Sequence, residues 1–329
     1  MIMKKIPIFF TFDDNYVEPA AVAFYSLLNK AKEDIFYEMY VLSSHISPPK
    51  KHILNSVVER FNNATLTFVD TGFFLDEYWN NNTFSSKQGG TVFTSDAIVR
   101  CFAARFFPQY DKIIYSDVDV IFVDDISELY EIDLGNKYIA AVKNAFLKHS
   151  KSELAHLKQE HYTMLKDTYF AGGIWVLNLD NIRNDELESN MISIIEDKTI
   201  IKKWNDQDIM NIACKNKVAY IPLNYISYPS LYDYLIKDSF VSPYTREELY
   251  DSIINPKIIH FAAKKPWNSN PQYSNLWWTI FEYLNLKQTP IMKSRRVLEN
   301  KAKKYRNLMN ISIAINIILV IGMTIIFVE

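Results

Sequence analysis

Lys112-Ile-Ile-Tyr-Ser-Asp117-Val-Asp119-Val-Ile-Phe-Val123 sets two carboxylates one residue apart in a run that otherwise reads as a buried strand. Carboxylates are costly there unless something compensates their charge. In extended backbone, residues two apart project to the same side. Asp117 and Asp119 can therefore converge on one hard cation of the Mg²⁺ or Mn²⁺ kind. A cation held mainly by two carboxylates keeps open positions for phosphate oxygens. Asp-x-Asp is also common by chance, and a solvated strand end is the plainer alternative. The rest of the chain has to decide.

Outward from this run, strands and helices alternate. Residues 6–12 read as a buried strand, Glu18 to Lys30 as a helix, Phe36–Leu42 as a second strand and Thr65–Val69 as a third. Ser47-Pro-Pro predicts a helix start, with Ser as cap and Pro in the first turn. The alternation predicts an α/β fold with a mostly parallel sheet. Such sheets bind ligands beyond the carboxyl ends of their strands, where Asp13-Asp14-Asn15-Tyr16 and Asp117-Val-Asp119 both stand.

A chain of 329 residues, 49% hydrophobic, holds one large α/β unit and an appendage. Two cysteines, Cys101 and Cys214, both in apolar segments, argue against a disulfide framework and suit a reducing compartment. The N-terminus runs into a strand without a signal-peptide layout, which predicts a cytosolic location. Between Pro290 and Met309 seven basic residues face Glu299 alone, a local charge of +6; the whole chain carries −2, so the remainder carries −8. Ile311 to Val328 follows without a charge and would span about 27 Å as a helix. The organisation expected is a catalytic unit over 1–285, a basic juxtamembrane helix over 286–310 and a hydrophobic, membrane-spanning helix over 311–328. The basic flank places that end at the cytoplasmic face, on anionic headgroups. A buried or in-plane helix is the alternative, given Ser312 and Asn316.

Glycine is scarce, yet four of the seven form two pairs. Gly89-Gly90 lies in a polar loop whose composition suits a mobile lid or an ordinary surface loop. Gly172-Gly173 precedes a strand, where missing side chains would let backbone approach a ligand, or mark a simple bulge. Trp204-Asn-Asp206-Gln207-Asp208 opens a helix with acids in its first turn, which capping explains for at least one of them. Gln207 between them offers an uncharged donor and acceptor for sugar hydroxyls. In Ile258-Ile-His260-Phe-Ala-Ala-Lys264-Lys265-Pro266-Trp267 a strand ends in His, followed by lysines and a Pro-Trp turn. His can complete an oxygen and nitrogen metal shell, and Lys can neutralise phosphate.

Together these segments resemble glycosyltransferase family 8, the bacterial sugar transferases of lipopolysaccharide and capsule synthesis. The resemblance rests on residues 12–16, 115–120, 169–173, 205–208 and 260–267, in the family's order. It implies a GT-A fold, a Rossmann-like mostly parallel sheet flanked by helices, with a UDP-sugar donor, Mn²⁺ (Mg²⁺ as substitute) and retention of configuration. It gives Asp117, Asp119 and His260 as metal ligands. It gives Thr11, Asp13, Asn15 and Tyr16 as the uridine site, with Tyr16 stacking on the base. Lys265 would contact diphosphate and Arg100 the donor. Val118, Asn144, Ala171, Gly172 and Gly173 would line the donor site, and Asp206 and Gln207 would face the transferred sugar as the catalytic pair. Three departures stand out. The family usually has Asn at Ala171 and often Asp at Asn144, positions that touch the donor sugar. The His…Lys-Pro-Trp segment is one residue short, with Ala263 where Gly is usual, which bears on how this loop closes over diphosphate. The expected partners are a UDP-hexose donor, a glycan or glycolipid acceptor and an anionic membrane surface, with no nucleic acid.

Two other readings compete. Asp117-Val-Asp119-Val120 also fits a haloacid-dehalogenase-like phosphatase, although that motif usually starts its domain and the expected late Asp-Asp pair is missing. A membrane-tethered UDP-sugar or glycan binder without turnover is the non-enzyme reading.

Overall fold

The computed structural model describes residues 3–74, 87–88, 91–92, 95–147, 154–200, 202–235, 241–289 and scattered positions from 292 to 306. The predicted lid around Gly89-Gly90 and the hydrophobic segment 311–328 lie outside the described residues. Among the described residues no helix is long and apolar enough to cross a membrane.

Eleven strands are described: β1 (Lys4–Thr11), β2 (Ile35–Ser43), β3 (Ala64–Asp70), β4 (Lys87–Gln88), β5 (Thr91–Val92), β6 (Lys112–Ser116), β7 (Val120–Phe122), β8 (Ile139–Lys143), β9 (Phe170–Asn178), β10 (Val218–Ile221) and β11 (Ile258–His260). Seven of them form one sheet in the order β10-β8-β9-β6-β1-β2-β3. Only β9 runs against the others, so the sheet is mixed and mostly parallel, as expected. Side chains alternate between its faces with the strand period. Ile8, Phe10, Ile114, Ile174 and Val176 enter the core on one face, with the helix α1 (Val17–Lys30) packed there. Phe9, Ile113, Tyr115, Trp175 and Leu177 enter the core on the other.

β7 and β11 form a separate antiparallel pair. Ile121 and Ile259 of this pair pack with Phe261, Trp267, Trp277 and Phe281 in a third apolar cluster, which Met292 joins. Helix Ser274–Tyr283 supplies Trp277 and Trp278, and Trp278 Nε1 donates to the Pro266 carbonyl (3.2 Å). The helix at Pro48 starts with Pro in its first turn, but Ser47 makes no side-chain cap. Instead its backbone N–H donates to Asp14 Oδ1 (2.8 Å), tying this helix to the turn after β1.

α1 also fastens β7. Buried Ser26 donates to the Ala23 carbonyl (2.8 Å) and accepts from the Phe122 N–H (3.1 Å). Ser26→Ala would leave that buried N–H without a partner, at a cost of about 1–3 kcal/mol. The urea midpoint should fall accordingly with an unchanged slope, and a wild-type midpoint would show that the bond contributes nothing.

Candidate active site

The strand carrying the paired carboxylates is not continuous. β6 ends at Ser116, and Asp117-Val-Asp119 turns the chain out of the main sheet into β7. Asp117 N–H donates to the Gly173 carbonyl of β9 (3.0 Å), while the Asp119 carbonyl accepts from Phe261 N–H (2.9 Å). Each carboxylate is therefore hung from a different sheet. They converge because of the turn between the sheets, not through the pleat of one strand. Pairing of His260 with Val120 then delivers the imidazole. Its Nε2 lies 3.3 Å from Asp117 Oδ2 and 3.1 Å from Asp119 Oδ1. One ligand atom from each of the three residues falls within 4.8 Å of the others. Two carboxylate oxygens and one imidazole nitrogen suit a divalent cation of the Mn²⁺ or Mg²⁺ class.

The charges compensate one another. Burial opposes ionisation of Asp119, but Lys265 and His260 outweigh it and hold the carboxyl well below the usual range. Burial likewise opposes the charge on Asp117, and Arg100 with His260 brings its carboxyl below the ordinary value. Burial alone would lower the imidazole; the Asp119 and Asp117 carboxylates push His260 up to about 9. Lys265 pairs with Asp119 Oδ2 and is raised, the carboxylate overcoming burial.

Arg100 sits on the other flank, committed to protein groups. Nη1 donates to Asp117 Oδ1 (2.6 Å) and to the Gly172 carbonyl (3.2 Å), while Nη2 pairs with Asp206 Oδ2. The guanidinium packs against the rings of Tyr115 (4.9 Å) and Trp175 (4.8 Å), which also touch each other. Burial pushes the Asp206 carboxyl up to about 6 despite Arg100. Asp206 and Gln207 open the helix Asp206–Ala213 beside it.

The glycine pair serves the protein's own groups. A Cβ on Gly173 would stand 2.6 Å from His260 Nδ1 and 2.6 Å from Ile226 Cδ1. A Cβ on Gly172 would meet Gln207 Oε1 at 3.0 Å. Close approach is thus the reason for glycine here, with His260 and Gln207 as the neighbours.

The turn after β1 borders the same site. Asp13 caps it, accepting from Asn15 N–H (3.0 Å) and Asn15 Nδ2 (3.0 Å). Thr11 closes β1, and the Tyr115 hydroxyl donates to Asp117 Oδ1 (2.5 Å). Tyr16 lies edge-on to Trp267 (5.9 Å), within electrostatic reach of Lys265 and Asp119. Val118 buries its side chain in the core, which leaves only its backbone for a ligand. Asn144 turns Oδ1 to the Phe146 N–H (2.9 Å), and the Ala171 carbonyl accepts from Trp175 Nε1 (2.8 Å). Both are buried; Asn144 follows β8, its N–H donating to the Tyr169 carbonyl (2.9 Å), and Ala171 directly precedes the Gly172-Gly173 pair.

Sequence reasoning missed Tyr115 and Trp175, which hold Arg100. Tyr115 was findable, because it lies two residues before Asp117 on the same strand side. Trp175 carries no such signal, since aromatic residues in buried strands are ordinary core.

Comparison with known proteins agrees with this geometry. The model of Glycosyl transferase family 8 matches residues 7–271. A Haemophilus influenzae relative is 26% identical over 223 residues, 66% of this chain and 62% of its own length. Lipopolysaccharide 1,2-glucosyltransferase of Escherichia coli is 23% identical over 304 residues, 90% of this chain and 84% of that protein. Among solved structures, the bifunctional glycosyltransferase WbbM superposes with a TM-score of 0.71 at 23% identity, over 84% of this chain and 49% of WbbM. Galactosyltransferase LgtC, solved with donor and acceptor sugar analogs, gives 0.66 at 20% identity, over 87% of this chain and 98% of LgtC. These structures share the fold, and the family match covers both flanks of the site. The chain belongs to glycosyl transferase family 8.

Proposed function

We propose that this chain is a retaining GT-A hexosyltransferase that moves galactose or glucose from a UDP-sugar to a lipid-linked, lipopolysaccharide or capsular glycan. The observation that carries it is the convergence of Asp117, Asp119 and His260 beside the Asp13–Tyr16 turn. Family membership supports the reaction class, and the lipopolysaccharide glucosyl- and galactosyltransferase relatives support the sugar and acceptor class. It also leaves the phosphatase reading without support.

Asp117, Asp119 and His260 would hold Mn²⁺ or Mg²⁺. Bound there, the dication neutralises the charge that develops on the diphosphate as UDP leaves. Thr11, Asp13, Asn15 and Tyr16 would bind uridine, and Lys265 would exchange its Asp119 partner for phosphate. The bond from the anomeric carbon to the phosphate oxygen breaks, and one to the acceptor hydroxyl forms on the same face. The hydroxyl proton passes to the departing phosphate. Gln207 is an amide and a poor nucleophile, so its role is to position the sugar and meet the positive charge with its carbonyl. Asp206 holds Arg100 against this sugar face.

Donor hydrolysis with UDP-glucose and UDP-galactose plus Mn²⁺ tests the reading. Turnover should fall roughly a hundredfold or more in Asp119→Ala and in excess EDTA. Wild-type rates in both would refute the metal site, and UDP-sugar binding without any turnover would favour the inactive binder.

The proton on His260 must leave before the nitrogen can ligate, whereas Asp117 and Asp119 are already ionised near neutrality. Mn²⁺ affinity should therefore rise about tenfold per pH unit from neutrality until it levels near pH 9. Calorimetric titration across that range checks this; an affinity flat with pH would remove His260 from the ligand set.

We further propose that the basic stretch and residues 311–328 hold the enzyme at the cytoplasmic face of the cell membrane as a single-pass C-terminal anchor. Tethering to the surface that confines a lipid-linked acceptor raises their encounter. The full chain should pellet with membranes and resist high-salt extraction, while release by salt alone would exclude a spanning anchor.

A further inference from the structure

We infer that Lys265 couples cation and nucleotide at this site: its ammonium occupies Asp119 until a diphosphate draws it away, so that Mn²⁺ and UDP each tighten the other's binding. The inference rests on the UDP-sugar reading above and gives Lys265 a regulatory role beyond contact with phosphate.

All four oxygens of Asp117 and Asp119 have partners on the protein. Asp117 Oδ1 accepts from Arg100 Nη1 and from the Tyr115 hydroxyl, and Asp117 Oδ2 faces His260 Nε2. Asp119 Oδ1 also faces His260 Nε2, and Asp119 Oδ2 pairs with Lys265 Nζ. His260 and Lys265 must therefore yield before a dication can use these oxygens. His260 yields by giving up a proton. A lysine ammonium keeps its proton near neutrality, so Lys265 yields only by moving.

That movement is confined to the side chain. The Lys265 carbonyl accepts from Asn268 N–H (3.2 Å), Ser269 N–H (2.9 Å) and Ser269 Oγ (2.8 Å). The next carbonyl, that of Pro266, accepts from Trp278 Nε1, and Trp267 is buried in the third apolar cluster. The backbone is thus pinned at the root of a flexible four-carbon stem.

The ion pair is largely out of water, with 16% of the Lys265 side chain and 11% of the Asp119 side chain exposed. Salt screens such a pair little, and an ammonium lifted off Asp119 without a new anion would be left poorly solvated. Its second bond, to the Ala262 carbonyl (3.0 Å), is to a neutral group and does not replace the carboxylate. A diphosphate supplies the anion. Once the ammonium has turned to it, Asp119 Oδ2 is released for the dication. By linkage, UDP then raises the affinity for Mn²⁺ by the same factor as Mn²⁺ raises that for UDP.

Calorimetric titration of the full chain with Mn²⁺ tests this at one pH and ionic strength, without nucleotide, with saturating uridine and with saturating UDP. Lys265→Met keeps the stem and removes the charge. It should bind Mn²⁺ alone about tenfold tighter than wild type, yet match wild type within about threefold once UDP is present. Uridine, which brings no diphosphate, should change neither protein. Lys265→Arg, whose fork grips a carboxylate through two bonds, should bind Mn²⁺ alone more weakly than wild type. That variant decides if Lys265→Met fails to fold by thermal unfolding. An equal gain with and without UDP would reduce Lys265 to a plain charge effect, and an unchanged affinity for Mn²⁺ alone would reduce it to a phosphate contact. Either result overturns the coupling and leaves the glycosyltransfer reading intact. No Mn²⁺ binding by the wild-type protein even with UDP would instead remove the metal site and the coupling with it.

Discussion

Two carboxylates brought within reach of one imidazole, largely away from water, are the constraint on which the rest of the site depends. Asp117 and Asp119 could not both stay ionised there without cations supplied from elsewhere in the chain. Arg100 arrives from before them, and His260 and Lys265 from about 140 residues later. The docking of β11 on β7, sealed by Trp267 and Trp277, is therefore also the step that completes the charge balance. Buried ion clusters of this kind are weak evidence for stability, because desolvation offsets most of the attraction. Function is the better reason for keeping one.

The site has two flanks, built on different parts of the fold. One flank takes Asp13 and Tyr16 from the β1 turn, the carboxylates from the β6–β7 turn, and His260 and Lys265 from β11 and beyond. The other flank takes Gly172 from β9 and Asp206 with Gln207 from the helix Asp206–Ala213. Arg100 spans them, with one nitrogen on Asp117 and another on Asp206. Its packing against the adjoining Tyr115 and Trp175 rings holds the fork in place. Displacement of either carboxylate is thus felt on both flanks.

Much of this was legible in the sequence because it rests on period and on cost. The alternation of strands with helices along the first seventy residues predicts the mostly parallel sheet, and the expense of buried Asp117 and Asp119 predicts compensation. What was illegible depends on contacts between distant segments. Val120-Ile-Phe-Val123 is as apolar in a second sheet as it would be in the first, so no local pattern marks the break after Ser116. Gly173 reads equally as a bulge or a ligand approach until His260 is known to lie against it.

The choice of cation at each position follows from what must move. Arg100 is always charged, planar and weakly hydrated, and it is committed to two carboxylates and a carbonyl. Such a group holds geometry and resists exchange of partners. His260 can give up its charge entirely, which lets a carboxylate pair balanced by a proton become one balanced by a dication. Lys265 is a compact charge on a flexible stem, bonded to Asp119 and to the Ala262 carbonyl, and can turn from carboxylate to phosphate without losing its charge. A lysine at position 100 would hold only one flank at a time. An arginine at position 265 would bind Asp119 through two parallel bonds and compete with the metal for the same oxygens. On the proposed reading, the fixed cation belongs with the sugar and the exchangeable ones with the leaving group.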